Sequence, residues 1–255
     1  FHHIPSVQPY LLPEDDYIQI IKDLADKERG IFALVEQAKQ KMKSNNFKQA
    51  ASFWKRASEK LEKDAYFIQQ WALCTYKDKT TSPQVALTDA LAIINTLNPT
   101  DRNTVDPETL GLTGAIYKRL WELTPDNVEY LDRAVDFYKR GFTINQDYYT
   151  GENYALCLNL KGKISEDPEE KVYFKIEAKK TRKEIVDIIE KLKEDEDFEI
   201  RSDLSWIYAT LAHCHYALGD TKLHQIYGEK FKSLEPLEWQ LDTYHKSLQL
   251  LIETL

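Results

Sequence analysis

The chain has 255 residues, of which 42 are acidic and 34 basic, and its formal net charge is −8. It lacks the basic stripe that dominates nucleic-acid binding, and no apolar run approaches the roughly 18 residues that span a bilayer, so we expect neither nucleic acid nor a membrane as a partner. Only 8 glycines and 9 prolines occur, and this favours an all-helical fold.

The first 13 residues contain three prolines and no hydrophobic periodicity, which predicts an extended linker over 1–13. Glu14, Asp15 and Asp16 suit a helix N-terminus, and we expect Gly30 to end the helix that they begin. We expect 14–255 to form a single repeat domain. Because the chain begins with Phe1, we also expect it to be a piece of a longer polypeptide with a further domain upstream.

The clearest repeat signal lies in three predicted helices, Ile31–Lys43, Phe47–Leu61 and Ala65–Lys77. Apolar and small residues recur in each at spacings of three and four, which places them on one helical face. Ala38 and Ala72 are 34 residues apart, and 34 residues is the period of tetratricopeptide repeats.

After a predicted helix over 85–97, residues 107–158 contain three helical patterns that combine small residues with aromatics. A glycine or alanine allows a second helix to approach closely, and a tyrosine beside it fills the remaining space. The small positions Ala72, Gly114 and Ala155 are 42 and 41 residues apart, so these repeats carry insertions. We expect Tyr117, Tyr138 and Tyr154 to serve packing.

In the last third of the chain, the sequence pattern predicts that a helix ends at 161–163 and that a long helix follows from about 168 to 193. Phe198–Ile200 is predicted to be a brief extended link, followed by helices over 204–218 and 222–234, and 238–252 is predicted to cap the array. The predicted fold is therefore an all-α, tetratricopeptide-like solenoid of helical hairpins with irregular, inserted repeats and a C-terminal capping helix.

Three sequence motifs within residues 107–158 are more specific than the general repeat pattern. They are Gly114 followed by Ile116-Tyr117-Lys118, Ala134 followed by an aromatic and Gly141, and Gly151-x-Asn153-Tyr154-Ala155. Together they resemble the TRAFs-binding domain of apoptosis-signal-regulating mitogen-activated protein kinase kinase kinases and its bacterial relatives. The resemblance implies a non-catalytic scaffold. In bacteria it also implies an upstream effector or nucleotide-processing domain.

Residues that could carry chemistry are few. The sequence contains no HExxH, phosphate-binding glycine loop, GxSxG or CxxC, so we expect no enzyme activity and no cofactor. His213, Cys214 and His215 point about 100° apart in succession on a helix, so they cannot converge on a metal. We expect Cys74, Cys157 and Cys214 to be three buried free thiols in a reducing cytoplasm.

The predicted binding surface is a concave groove lined by the first helix of each repeat. A surface that mixes tyrosine, amide and charged side chains suits a peptide or a partner helix. On tetratricopeptide geometry the groove residues are Gln69, Tyr76, Lys118, Arg119, Glu152, Asn159, His213 and Tyr216. The alternative is that Lys118 and Arg119 pair with nearby acidic residues and that the tyrosines belong to the core.

Three functions stay open on the sequence alone. The first is a scaffold that holds a protein or peptide partner, or the chain's own upstream domain, and a homo-oligomer is compatible with it. The second is a sensor that closes on a small molecule or signal peptide. A deep tyrosine-lined cavity would favour this function. The third is an enzyme with a metal site between helices, which would need bound metal.

Overall fold

The computed structural model describes residues 14–62 and 64–255, so the predicted linker 1–13 lies outside the described residues. Regular structure in the described part is helical. It consists of α1 Glu14–Lys43, α2 Phe47–Lys60, α3 Ala65–Lys77, α4 Pro83–Asn95, α5 Pro107–Leu123, α6 Val128–Asn145, α7 Tyr148–Ile164, α8 Pro168–Leu192, α9 Leu204–Leu218, α10 Thr221–Ser233 and α11 Glu238–Ile252, with a short 3₁₀ turn at Phe198–Ile200.

The helices pack as successive hairpins, in which α1 contacts α2, α3 contacts α4, and the pattern continues to α9 and α10. The first helices of the hairpins also contact one another from α3 to α5, α7, α9 and finally α11. They therefore form one continuous inner layer, and the second helices form the outer layer. This two-layer arrangement confirms the predicted helical-hairpin solenoid.

Side chains at the ends of the preceding turns explain where several helices begin. Asn46 accepts a hydrogen bond from the backbone N–H of Gln49, Asp64 from that of Phe67, and Asp106 from that of Thr109. Each bond satisfies one of the N–H groups that a helix start leaves unpaired. Asp147, which accepts from the N–H of Thr150 at 2.7 Å, does the same for α7.

Small residues lie where α5, α6 and α7 touch. A Cβ atom at Gly114 would stand 3.0 Å from the Tyr138 ring, and one at Gly151 would stand 2.7 Å from the Phe142 ring. Tyr138 and Tyr154 are buried. The Tyr117 ring stacks almost parallel on Phe137 with centroids 5.7 Å apart. The helices can therefore approach this closely only because glycine has no side chain at these positions, as the small-residue pattern predicts.

Three expected interruptions are wrong. Helix α1 continues through Gly30, and α7 continues through Gly162 to Ile164. A glycine in a helix costs only about 1 kcal/mol relative to alanine, which packing readily offsets. The segment Phe198–Ile200 is a 3₁₀ turn and not an extended link, because the Ile200 and Arg201 N–H groups donate to the carbonyls three residues before them, and the Phe198 side chain is buried against Tyr208.

A buried polar cluster ties α7, α8 and α9 together. Arg182 of α8 is 1% exposed and donates from Nε to Glu152 Oε2 at 3.1 Å and from Nη1 to Asn159 Oδ1 at 2.7 Å. The Cys214 thiol donates to the same Glu152 oxygen at 3.3 Å. Burial raises the pKa of Glu152 above its usual value, although the Arg182 charge opposes this shift.

Two glycines in α7 provide a matched test of the close contacts. We expect Gly151→Ala to lower the free energy of unfolding by about 1–3 kcal/mol, because the new methyl overpacks the space held by Phe142 and Ile185. Gly162→Ala should leave it unchanged or raise it by up to about 1 kcal/mol, since its nearest neighbour is 3.5 Å away, an ordinary contact distance. Urea denaturation measures both, and effects of the same sign would contradict the packing argument.

The Arg182 cluster gives a second test. Arg182→Met should lower the free energy of unfolding by about 3–5 kcal/mol, because it leaves the Glu152 carboxylate buried without its cation. Arg182→Met combined with Glu152→Leu should recover at least half of that loss, since no unpaired charge is then buried. A single variant that loses less than about 1 kcal/mol would show that the pair is not needed for stability.

Candidate functional site

The structure separates the eight predicted groove residues into two groups. Gln69, Glu152, Asn159 and His213 are buried, and Tyr216 is half-buried with its ring edge against His224. Glu152 and Asn159 belong to the Arg182 cluster. The amide of Gln69 donates to Asp106 at 2.6 Å and to Thr109 at 2.9 Å, and so joins α3 to the start of α5. The partners of these residues lie within the chain.

His213 illustrates the difference between the predicted groove and the observed packing. Its ring stacks on Tyr244 of α11 with centroids 4.7 Å apart. Burial, followed by the nearby Arg182 charge, lowers the pKa of His213 to about 3, so the imidazole is neutral at physiological pH. The residue therefore packs α11 onto α9.

The other three predicted residues come together at the C-terminal ends of α3 and α5. The Arg119 guanidinium lies over the Tyr76 ring, 4.8 Å from its centroid. Lys118 is 5% exposed, and its Nζ lies 3.4 Å from Asn153 Oδ1. Burial lowers the pKa of Lys118, although Glu122 and Glu152 act in the opposite direction.

Helix α11 does more than cap the last hairpin, because it also reaches the first two. Trp239 lies edge-on to Phe47 of α2, with ring centroids 6.2 Å apart, and stacks at a tilt on Trp206 of α9 at 5.9 Å. Glu238 accepts a hydrogen bond from the Asn45 side chain in the turn before α2. The array thus curves until its last helix meets its beginning.

Helix α11 also holds the end of α3. Lys77 Nζ lies 4.6 Å from the centroid of the Trp239 ring and donates to the Thr243 hydroxyl at 3.2 Å. Just beyond α3, Lys79 pairs with Asp242 at 3.3 Å. These contacts come from one stripe of α11, since 239, 242, 243 and 246 follow helical spacing.

Between α11 and the ends of α3 and α5 lies a cavity of about 690 Å³, which we call the central cavity. Tyr76, Lys118 and Arg119 line it, together with Trp239 and the turns at Ser44–Asn46 and Asp78–Thr81. Its charged lining residues are Lys48, Lys77, Lys79, Lys118, Arg119, Lys246, Asp78, Glu122 and Asp242.

Lys77 has the most unusual electrostatics in this cavity. Loss of hydration on burial, followed by the positive charges of Arg119 and Lys246, lowers the pKa of Lys77 to about 7. At neutral pH the Lys77 amine therefore changes protonation readily, and a negative group placed beside it would restore its charge.

Sequence reasoning missed Lys77 and the contribution of α11. One signal was available: Trp239, Thr243 and Lys246 form an aromatic and polar stripe on a helix expected only to cover the end of the array. A helix whose outer face contacts solvent alone has little use for tryptophan, which usually needs a packing partner.

Metal and membrane sites find no support in the part of the chain that the structure describes. No group of three or more His, Cys, Asp or Glu side chains there could hold a metal ion. Cys74, Cys157 and Cys214 are unpaired and buried. In the same described part, no helix combines the length and apolar character needed to cross a membrane.

Comparison with known proteins agrees with this architecture. The family model described as Tetratricopeptide Repeats-Sensor matches residues 46–158. The crystal structure of a thermophilic TPR protein of Thermus thermophilus is similar with a TM-score of 0.56 and 16% identity, over 86% of this chain and 99% of that chain. The search of curated proteins found no match. At this identity the structural likeness shows the fold alone.

The repeat period, the hairpin layers and both comparisons lead to the same assignment. This protein is an all-helical, tetratricopeptide-like solenoid.

Proposed function

We propose that residues 14–255 form a non-catalytic, ligand-sensing repeat domain whose small-molecule ligand lies in the central cavity. The observation that supports this proposal is the contact of α11 with both α9 and the first two hairpins. An extended peptide groove needs an inner face that is open along its length, whereas α11 lies across part of this one. The word sensor in the description of the matching family is compatible with such a role.

The dimensions of the central cavity favour a small molecule over a folded partner. Its volume of about 690 Å³ falls within the range of small-molecule sites. Aromatic rings at Tyr76 and Trp239 provide apolar walls, and several charged groups provide orientation. Cavities of this composition are typical of sites that bind one metabolite-sized ligand.

Helix α11 is the element best suited to respond to a ligand. It is joined to α2 and α3 by ring contacts, one ion pair and a few side-chain hydrogen bonds. An element held by few contacts opens at lower free energy than the core, and a ligand that contacts it shifts the balance towards closure. We propose that this closure is passed to a protein partner or to an upstream domain of the same chain. The three free cysteines support a reducing, cytoplasmic setting.

The resemblance to the TRAFs-binding domain and an exposed apolar surface favour a protein scaffold as a second candidate. On α8, Val172, Tyr173 and Ile176 are 58%, 54% and 61% exposed and lie on one helical face. Exposed apolar patches often mark sites of protein association. On this candidate the partner contacts the outer layer, and a relation to the apoptosis-signal-regulating class is part of the proposal.

Filling the central cavity tests the sensor function. We expect a deproteinised small-molecule extract of the source cells to raise the thermal midpoint of the wild-type chain, because a ligand that binds only the folded state stabilises it. Ser247→Trp, or the smaller Ser247→Leu, should abolish this shift, because Ser247 lines the cavity. Gln249→Trp on the exposed face of α11 is the control and should keep the shift. Absence of any shift in the wild-type chain would overturn the sensor proposal.

Two pairs of substitutions distinguish where a protein partner binds. If the outer surface of α8 captures it, Tyr173→Ser with Ile176→Ser should reduce capture by the full-length protein at least tenfold, a loss of about 1.4 kcal/mol. The control Lys175→Ser changes an exposed residue of the same helix and should have no effect. Co-precipitation measures capture. If Lys118→Glu with Arg119→Glu abolishes capture and the α8 pair does not, the inner face binds the partner instead.

A further inference from the structure

The charge of the central cavity is opposite to that of the chain. Six basic and three acidic side chains line it, whereas the whole chain has a formal net charge of −8. A local field opposite in sign to the overall charge does not arise from composition. It indicates that basic side chains are concentrated around the central cavity.

Two of the three acidic residues already have partners. Asp78 accepts from the Thr80 backbone N–H at 2.9 Å and from the hydroxyls of Thr80 and Thr81. Asp242 pairs with Lys79. The third, Glu122, acts on Lys118 and Arg119 and favours the charged form of both. Three carboxylates therefore face six basic side chains, which leaves an excess of positive charge.

Lys77 and Lys246 are left without a carboxylate partner among the described residues. Lys77 comes from α3 and Lys246 from α11, so the two elements that close the cavity both bring a positive charge to it. They repel each other, and this repulsion contributes to the lowered pKa of Lys77. Lys246 is exposed to solvent and Lys77 donates to the Thr243 hydroxyl, so an anion between the two lysines would supply the negative charge that no carboxylate provides.

A second feature of the lining is the Trp239 indole. Its Nε1 is buried and has no hydrogen-bond acceptor among the described residues, so this nitrogen does not face the cavity as a donor. The groups that an anionic ligand could take as partners are therefore the basic side chains of the lining.

We propose that the central cavity binds a small polyanion, with Lys77 and Lys246 as its principal contacts and Lys118 and Arg119 at its inner end. The proposal rests on the proposed sensing function and adds the chemical class of the ligand. Phosphate groups and carboxylate groups share this chemistry. The cavity is too small for a nucleic-acid strand, and α11 blocks the continuous track that a strand would follow.

Isothermal titration calorimetry with three probes, sodium pyrophosphate, sodium tripolyphosphate and sodium citrate, tests the proposal at fixed ionic strength. We expect at least one probe to bind with one-to-one stoichiometry. Preference for the phosphates over citrate would identify phosphate as the recognised group, and the reverse would identify carboxylate. Binding of none of the three, in a chain that still responds to the cell extract, would overturn the polyanion class and leave the sensor function standing.

Three lysine substitutions locate the binding. Lys77→Gln and Lys246→Gln should each weaken affinity about tenfold or more, since hydrogen bonds to charged groups are the strong ones. Lys183→Gln removes an equal charge from the exposed surface of α8 and should change affinity less than twofold. Equal losses in Lys246→Gln and Lys183→Gln would show non-specific attraction and overturn the site. Lys246 is exposed, so its substitution leaves the fold intact and the comparison remains valid if Lys77→Gln is unstable.

The pH dependence provides a readout that charge removal alone would not give. The pKa of Lys77 is about 7 in the free chain, and a bound anion favours the ammonium form and raises it. Binding therefore takes up a proton, and the affinity of the wild-type chain relative to Lys77→Gln should fall as pH rises from about 6 to about 8.5. A constant ratio would exclude Lys77 as a contact. The titratable and charged groups around Lys77 are Cys74 on its own helix, the following Asp78 and Lys79, Arg119 and Glu122 of α5, Lys48 of α2, and Asp242 and Lys246 of α11.

Discussion

The contacts of Trp239 hold the two ends of the array together, and the central cavity depends on them. One indole touches Phe47 of the first hairpin, Lys77 of the second and Trp206 of the last. A tetratricopeptide-like stack is otherwise built from neighbour contacts alone, in which each hairpin touches only the next. A contact between the first and last elements adds a constraint on the curvature of every hairpin between them. It also covers part of the concave face and forms one wall of the central cavity.

The positive lining of this space is achieved at the expense of stability. Lys77 has a pKa near 7 in the folded chain and near its ordinary value of about 10.4 when unfolded. The unfolded chain therefore binds more protons between these values, and this lysine destabilises the fold fully below pH 7 and less as pH rises. Residues held at such a disadvantage are concentrated at functional sites. A neutral residue at position 77 would pack against Trp239 without this penalty, which is why we read the lysine as a binding residue.

The helices were largely predictable from the sequence, and the lining of the central cavity only in part. Predicted spans such as 65–77 and 238–252 match the structure because apolar periodicity and capping residues act locally. The predicted groove assumed consensus geometry, but Arg182 of α8 draws Glu152 and Asn159 into a buried cluster, and no local pattern reveals that pairing. The return of α11 to α2 depends on the summed rotation of all the hairpins, so a single repeat cannot predict it.

The same geometry suggests how occupancy of the cavity would be transmitted. Lys77 on α3 and Lys246 on α11 repel each other, and Lys79 with Asp242 provides one compensating attraction nearby. An anion between the two lysines turns their repulsion into a shared attraction, so it binds the closed position of α11 more tightly than the open one. A ligand shifts a conformational equilibrium only by such a difference in affinity. Tyr244 of α11 stacks on His213 of α9 and on Phe231 of α10, and through these contacts a shift of α11 would reach both helices.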